Sequence, residues 1–152
     1  GRSKMEELLI RDAIQSLLNH YAQAFDDRSF DMTLGTLFTN ECLVDLPPGV
    51  HRGITGLDQF HVAVMAPFER TQHVFTNYII GLNGDKATFR ANTLVSHLIT
   101  CKDNPEVGEL FFVGGVLTGS AVVLSDRWRI STVTLVPIWR KGEGPGPDMK
   151  VG

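Results

Sequence analysis

The run LFFVGGVLTGSAVVL occupies residues 110–124 and is almost continuously apolar. Its β-branched and aromatic residues are typical of a strand, and a strand without polar alternation is expected to be covered on both faces. Three glycines lie inside the run, where glycine usually marks a bulge or a close backbone approach. Residues 110–124 therefore predict a long, bent strand that lets its sheet curl.

The strand that contains residues 110–124 is predicted to begin near residue 108. Three more strands, rich in β-branched and aromatic residues, are predicted at 72–80, 86–100 and 128–139. Turn residues at 83–85, 103–106 and 125–126 connect the strands. Because short hairpin loops make neighbouring strands antiparallel, the second half of the chain predicts an antiparallel sheet.

The first half of the chain is predicted to be mainly helical. Apolar residues recur at helical spacing over 5–25, and shorter helices are predicted at 31–38 and 54–68. A strand at 42–46 is expected to end at the turn sequence of residues 47–49. Helices followed by a run of antiparallel strands indicate an α+β fold, with helices closing a cone-shaped, curled antiparallel sheet around a pocket. Such a concavity suits a small molecule.

The composition narrows the choice of partners. The chain has 152 residues, with 14 Lys and Arg against 17 Asp and Glu, and a net charge of −3. Nucleic acid and anionic membrane surfaces attract basic proteins, so neither is an expected partner. Cys42 and Cys101 lie far apart, and no leader or membrane-spanning run is evident, which favours a cytoplasmic protein with reduced cysteines.

A single domain is expected over residues 5–140. Residues 1–4 are interpreted as an expression remnant before Met5, and residues 141–152, rich in Gly and Pro, predict a flexible tail. The helices should cover one face of the apolar strand at 110–124, and a partner subunit or a second part of the sheet should cover the other. We therefore expect a homodimer or a higher homo-oligomer.

A carboxylate ends an apolar ridge on the first helix. Ile14, Leu18 and Ala22 follow one another at a spacing of four, and the next member is Asp26. Such a residue is commonly solvated at a helix end, and Tyr21 nearby is by default a core tyrosine. Asp26 can therefore be a functional residue or an ordinary helix-end residue.

Polar residues also share strand faces with apolar ones. His73, Phe75 and Asn77 alternate on one face of a strand. A strand histidine is often structural, but on an inner face His73 could act as a general base near neutral pH. Asn92 and His97 lie on opposite faces of the next strand, and periodicity leaves open which of them points inward.

Motifs for metal, nucleotide or acyl chemistry are missing from the sequence. The histidines lack the H-x-x-x-H and H-x-x-E-H spacings, and the chain has no G-x-S-x-G elbow, Walker A loop or Rossmann fingerprint. Neither a metal nor another cofactor is expected. The enzymatic option that remains is acid/base chemistry without a cofactor.

Several segments resemble the SnoaL-like branch of the nuclear transport factor 2-like superfamily. They are IRDAIQ (10–15), YAQAFDDR (21–28), LFTNEC (37–42), LPPGVHRG (46–53), TQHVFTN (71–77) and RWRI (127–130). The resemblance covers about residues 6–140 and implies a cystatin-like roll. It is strongest to the branch with scytalone dehydratase, bile-acid 7α-dehydratase and hexachlorocyclohexane dehydrochlorinase.

In that branch an Asp at the end of the first helix orients a His on the strand that opens the sheet, and this His removes a proton in an elimination. The resemblance places Asp26 and His73 on these positions and Tyr21 near a polar, pocket-facing one. By register, Asn92 falls where dehydratases carry a second His or an Asp, although an amide cannot exchange a proton. Val133 stands where many relatives have an arginine, which favours a neutral, fairly apolar substrate.

The resemblance thus implies a lyase or isomerase that acts on a small apolar carbonyl compound. The expected catalytic residues are His73, Asp26 and Tyr21, and the expected substrate-binding residues are Asn92, Phe75, Asn77 and His97. A polyketide-cyclase-like ring closure is one alternative. The other is a non-catalytic ligand-binding or assembly subunit, similar to the β subunits of ring-hydroxylating dioxygenases, which predicts a filled interior or a His73 bonded only to backbone.

Overall fold

A computed structural model describes residues 1–100 and 108–145. The elements in chain order are α1 (Lys4–Asp27), α2 (Phe30–Leu37), β1 (Phe38–Leu46), β2 (Gly49–Arg52), α3 (Leu57–Met65), β3 (Arg70–Asn83), β4 (Lys86–Ile99), β5 (Glu109–Leu124) and β6 (Arg127–Lys141). The predicted α+β class is confirmed. Cys101, the predicted turn at 103–106 and the tail from residue 146 lie outside the described residues.

The six strands form one sheet in the order β2-β1-β6-β5-β4-β3. The hairpin-connected neighbours are antiparallel, as predicted, whereas β1 pairs with β6 in parallel. No hairpin loop joins β1 to β6, so loop length does not fix their relative direction. The strand β2 was not predicted, because Pro47 and Pro48 form the turn between the paired residues Leu46 and Gly49 instead of ending the sheet.

The glycines of β5 bend the sheet. The pairing of β5 with β6 shifts register between Gly114 and Gly115 and again between Ser120 and Ala121. A Cβ on Gly119 would lie 2.1 Å from the carbonyl oxygen of Thr132, so only glycine allows this approach of the two strands. The predicted bulges and close approaches within residues 110–124 are confirmed, and they let the sheet curl.

Replacing Gly119 with alanine should lower the free energy of unfolding by about 1–3 kcal/mol, because the new methyl group meets the Thr132 carbonyl and the Phe89 ring. Gly35→Ala is the control, since its Cβ would meet nothing within 4 Å. Inside α2, alanine should be neutral or stabilising. Urea unfolding of both variants tests the packing, and a Gly119→Ala protein as stable as the wild type would contradict it.

Helix α1 brings the predicted carboxylate to the sheet. The hydroxyl of Ser3 accepts a hydrogen bond from the Glu6 backbone N–H, so the helix begins at Lys4, before Met5. Its buried face packs mainly against β3. The helix ends beside that strand, and Asp26 therefore lies next to the start of β3.

The outer face of the sheet carries exposed apolar side chains, among them Val74, Leu94, Val136 and Ile138. A second copy of the chain is the cover predicted for this face, and the homodimer stays a prediction. Cys42 is fully buried, like a small hydrophobe. None of the described helices is long and apolar enough to cross a membrane.

Candidate active site

A cavity opens inside the curl of the sheet. Its volume is about 50 Å³, so the side chains around it leave a narrow cavity. Its apolar lining includes Phe25, Leu46, Met65, Phe75, Leu117 and Leu135. Its polar lining consists of Tyr21, His73, Thr93 and His97, and the described lining residues include no charged side chain.

Asp26 and His73 meet at the wall of this cavity. The Nδ1 atom of His73 lies 2.7 Å from Oδ1 of Asp26. The His73 backbone N–H donates to Oδ2 at 2.9 Å, and the Thr71 hydroxyl donates to Oδ1 at 3.0 Å. Residues 71 and 73 share one face of β3, so the strand presents both side chains to the end of α1. The structure thus brings together the two residues that the sequence singled out.

The hydrogen bonds fix the proton on the His73 ring. A carboxylate only accepts, so Nδ1 carries the proton, and Nε2, which has no hydrogen-bond partner among the described residues, keeps its lone pair. Burial lowers the pKa of His73, and the hydrogen bond and charge of Asp26, which raise it, do not fully offset this. Burial alone would raise the pKa of Asp26, but the hydrogen bonds from His73 and Thr71 lower it overall. The pair is therefore an ionised carboxylate beside a neutral imidazole.

The plane of the His73 ring is fixed by packing. Phe25 stacks on it with ring centroids 4.5 Å apart and an interplanar angle of 13°. The His73 side chain is 4% exposed, and that of Asp26 is 23% exposed. A rigid, dry imidazole with one free nitrogen is suited to act as a general base.

His97 is the second imidazole of the cavity. Its Nδ1 atom donates to the Phe111 carbonyl oxygen at 2.9 Å, and its ring centroid lies 6.4 Å from that of His73. Burial lowers the pKa of His97 to about 4, so the ring is neutral near pH 7. Because Nδ1 holds the proton, Nε2 is a hydrogen-bond acceptor. The inner face of β4, left open by periodicity, is the one that carries His97.

Two of the predicted substrate-binding residues do not line the cavity. Asn92 lies on the outer face of β4 and is exposed. Asn77 has a φ of 56° and falls in the register shift between Thr76 and Ile79, so the bulge interrupts the alternation of β3 and turns Asn77 to solvent. The structure therefore places these two asparagines outside the described lining of the cavity, whereas Phe75 lines it.

Tyr21 lines the cavity, but its hydroxyl proton is already used. The Tyr21 hydroxyl lies 2.8 Å from Nε2 of His61, and Nδ1 of His61 lies 2.8 Å from the Leu57 carbonyl oxygen. A carbonyl only accepts, so Nδ1 is protonated and Nε2 accepts the hydrogen bond from the Tyr21 hydroxyl. Burial lowers the pKa of His61 to about 4, which keeps this ring neutral. The structure thus gives the Tyr21 hydroxyl an internal partner instead of a free donor.

Tyr21→Phe should lower the free energy of unfolding by about 1–3 kcal/mol, because the buried Nε2 atom of His61 would lose its donor. Proton removal by His73 should stay within about threefold of the wild type, since the phenol proton does not reach the substrate. Urea unfolding measures the change in stability, and deuterium exchange at the carbon beside a ketone carbonyl measures proton removal. A large loss of exchange at unchanged stability would restore the catalytic role predicted for Tyr21.

Sequence reasoning missed several residues that neighbour Asp26 and His73. Thr71 donates to Asp26, and Arg28 donates in turn to Thr71 Oγ1 at 2.9 Å. Thr93 is 5% exposed and adds a hydroxyl to the cavity. Its alternation with His97 on β4 could have indicated Thr93. Within residues 1–100 and 108–145, no group of three or more His, Cys, Asp or Glu residues is placed to hold a metal ion.

Comparisons with known proteins agree with this architecture. The SnoaL-like domain family matches residues 6–134. No curated protein matches the chain. Of the solved structures, a protein from Novosphingobium aromaticivorans described as an aromatic ring hydroxylase is 26% identical, with 93% of this chain and 96% of that chain covered and a TM-score of 0.76.

Two other solved structures are less similar in sequence. A protein from the same species described as a scytalone dehydratase is 18% identical, with 93% of each chain covered and a TM-score of 0.79. A hexachlorocyclohexane dehydrochlorinase, LinA-type3 from Novosphingobium barchaimii, is 18% identical, with 93% of this chain and 94% of that chain covered and a TM-score of 0.79. At this level of identity the two likenesses show the fold.

Proposed function

We propose a function for this chain, which belongs to the SnoaL-like domain family: an enzyme that needs no cofactor and uses Asp26 and His73 to remove a proton from carbon. The reaction is a dehydratase-like elimination or an isomerisation of a small, neutral, largely apolar carbonyl compound. One observation carries the proposal. A neutral imidazole, held by an ionised carboxylate at 2.7 Å, borders an open apolar cavity.

The proposed step uses each atom of the pair. Nε2 of His73 takes a proton from the carbon beside the carbonyl, and the electron pair of the broken C–H bond either forms an enolate or expels a leaving group from the next carbon. Asp26 keeps the Nδ1 proton and stabilises the imidazolium that forms. General base catalysis supplies about 10²- to 10⁴-fold acceleration. Hydrogen bonds to the substrate and exclusion of water contribute the remainder of the rate acceleration.

The cavity favours a neutral substrate. Its described lining holds no charged side chain, and Val133, where many relatives were expected to carry an arginine, is fully buried. A carboxylate in this cavity would lose its hydration without gaining a cationic partner. The Thr93 hydroxyl can donate to a substrate oxygen, and Nε2 of His97 can accept from a substrate hydroxyl.

The names of two structural neighbours support the reaction class. A dehydratase and a dehydrochlorinase are both elimination enzymes by name, and both share the fold of this chain. A cyclase-like ring closure through the same enolate is the alternative within this chemistry. The assembly-subunit alternative predicts a filled interior or a His73 bonded only to backbone, and the bond between His73 and the Asp26 carboxylate favours catalysis over it.

Deuterium exchange tests the proposal without knowledge of the natural substrate. Cyclohexanone and β-tetralone are incubated with the protein in D₂O, and the loss of the α-proton signals is followed by NMR. We expect the wild type to accelerate exchange over buffer and His73→Gln to lose this acceleration. Levulinate, a ketone that carries a carboxylate, should not respond.

His20→Ala is the control for histidine removal, because His20 is exposed and its ring is bonded within α1, to the Ser16 carbonyl. This variant should exchange like the wild type. Equal exchange by the wild type and by His73→Gln would exclude His73 as the base. Failure of the wild type to exchange a ketone that perturbs the cavity resonances would favour the non-catalytic binding module.

A further inference from the structure

Arg28 occupies an unusual position at the end of α1. Its backbone is left-handed, with φ 55° and ψ 34°, and its N–H closes the last turn of the helix on the carbonyls of Ala24 and Phe25. Glycine is the usual residue in this conformation, because a Cβ is disfavoured there.

The guanidinium of Arg28 folds back over the end of the helix and reaches β3. It donates to the Thr71 hydroxyl oxygen at 2.9 Å and to the Phe68 carbonyl at 3.2 Å, and it also donates to the Phe25 carbonyl. In the described part of the chain, it forms no ion pair within 4.0 Å with either neighbouring carboxylate. Arg28 therefore reaches Asp26 through Thr71 and not directly.

This contact determines the direction of the Thr71 hydroxyl. A guanidinium has donors and no acceptor, so the Thr71 oxygen must accept from Arg28. The single hydroxyl proton of Thr71 is then left for Oδ1 of Asp26, 3.0 Å away. With the Nδ1–H and backbone N–H of His73, all the hydrogen-bond partners that the described residues give the carboxylate are donors. Such a ring of donors stabilises an ionised Asp26 and holds the His73 proton on Nδ1.

We propose that Arg28 is a positioning residue of this site: by fixing the Thr71 hydroxyl as a donor to Asp26, it locks the carboxylate and the imidazole in the arrangement of a neutral base. The catalytic purpose of this arrangement rests on the function proposed above. The protonation and the orientation of the His73 ring can be measured without any substrate.

Arg28 also acts on the site through its charge. The charged and titratable groups around the His73 ring are Asp26 and Arg28 at the end of α1 and His97 on β4. Burial is the main cause of the lowered pKa of His73, Asp26 opposes it, and Arg28 lowers that pKa further. The titration midpoint of His73 and its ring nitrogen shifts thus report on Arg28, and a purely structural cap would leave them unchanged.

The test compares variants that separate the guanidinium from the backbone. Arg28→Gly keeps the left-handed turn without strain and removes the guanidinium, and Thr71→Val keeps the side-chain shape and removes the hydroxyl. Arg11→Ala is the matched control, because Arg11 also joins α1 to β3 by donating to a backbone carbonyl, that of Ile80. Thr71→Ser, which keeps the hydroxyl, is the second control. Long-range proton–nitrogen NMR across a pH series reads the His73 ring.

In Arg28→Gly, we expect the titration midpoint of His73 to move to a higher pH. The chemical shifts of its two ring nitrogens should move towards each other, because each nitrogen then carries the proton part of the time. Thr71→Val should change the nitrogen shifts in the same sense, and the double variant should add little, because both substitutions break one chain of hydrogen bonds. Arg11→Ala and Thr71→Ser should match the wild type.

A folded Arg28→Gly protein with the wild-type midpoint and nitrogen shifts would overturn the proposal. If that variant does not fold, Arg28→Lys decides in its place, since lysine keeps the charge but lacks the planar set of N–H donors of a guanidinium. Wild-type nitrogen shifts in Arg28→Lys would overturn the role of the guanidinium donors, and mixed tautomers of His73 would support it. If Asp26→Asn changes the His73 ring while Arg28→Gly does not, only the role of Arg28 fails.

Discussion

Asp26→Asn is expected to slow deuterium exchange at carbon by on the order of 10²- to 10⁴-fold. The carboxylate of Asp26 is surrounded by donors: the Nδ1–H and backbone N–H of His73 and the hydroxyl of Thr71. An asparagine would turn its own N–H₂ group towards one of them. The conflict is relieved if His73 moves its proton to Nε2, and in that tautomer the nitrogen that borders the cavity cannot accept a proton.

The exchange rate of β-tetralone in D₂O measures this effect. Asp26 does not line the cavity, so the Michaelis constant should change little while the maximal rate falls. Asp27→Asn is the matched control, because it removes the exposed neighbouring carboxylate, for which no bond to His73 is seen, and it should exchange like the wild type. A variant at position 26 that keeps most of the exchange rate would contradict the role of the carboxylate.

Acid is expected to destabilise the protein between about pH 6.5 and pH 4. Burial lowers the pKa of both His61 and His97 from the ordinary 6.5 to about 4. Below pH 6.5 the unfolded chain binds protons at these two positions and the folded chain does not. The free energy of unfolding therefore decreases as the pH is lowered, and the contribution of these two groups stops changing below about pH 4. The difference corresponds to about 3 kcal/mol for each histidine.

The physical reason is that burial removes the water that would solvate an imidazolium at either position. Urea unfolding at several pH values measures the slope, and His61→Gln should flatten it, whereas His20→Ala should not. A free energy of unfolding that stays constant from pH 7 to pH 4.5 would contradict neutral, buried histidines.

The two central residues could be found from the sequence because each follows a regular period. Asp26 continues a helical ridge with a spacing of four, and His73 lies on one face of a strand with a period of two. The resemblance to SnoaL-like proteins connected the two elements. The helix and the strand do pack together, and the hydrogen bond forms at 2.7 Å.

The positions that the sequence could not settle lie where the period is broken or ambiguous. Asn77 adopts a left-handed backbone inside β3, and no turn signal in the sequence predicts that bulge. Asn92 and His97 lie on faces that both contain apolar residues, so only the fold decides which faces inward. The role of Tyr21 depends on His61, forty positions along the chain, and that contact is a property of tertiary packing.

Arg28 shows a further limit of reading a sequence. Helix ends of this type usually carry glycine, so an arginine after two aspartates suggests a solvated ion pair more than a left-handed cap. Its partner Thr71 could have been suspected, because it precedes His73 by two residues on the same strand face. The direction of each hydrogen bond, however, follows only from the three-dimensional arrangement.

Titration of the histidine rings by NMR, in the wild type and in Asp26→Asn, tests the existence of the catalytic pair most directly, with His73→Ala to assign the signals. In the wild type we expect His73 to hold its proton on Nδ1 and, because of its burial, to titrate below the ordinary imidazole range. Asp26 raises the pKa of His73, so its removal should lower the midpoint further, by about one pH unit or more. A His73 that titrates like an exposed imidazole in both proteins would contradict the pair and the enzyme built on it.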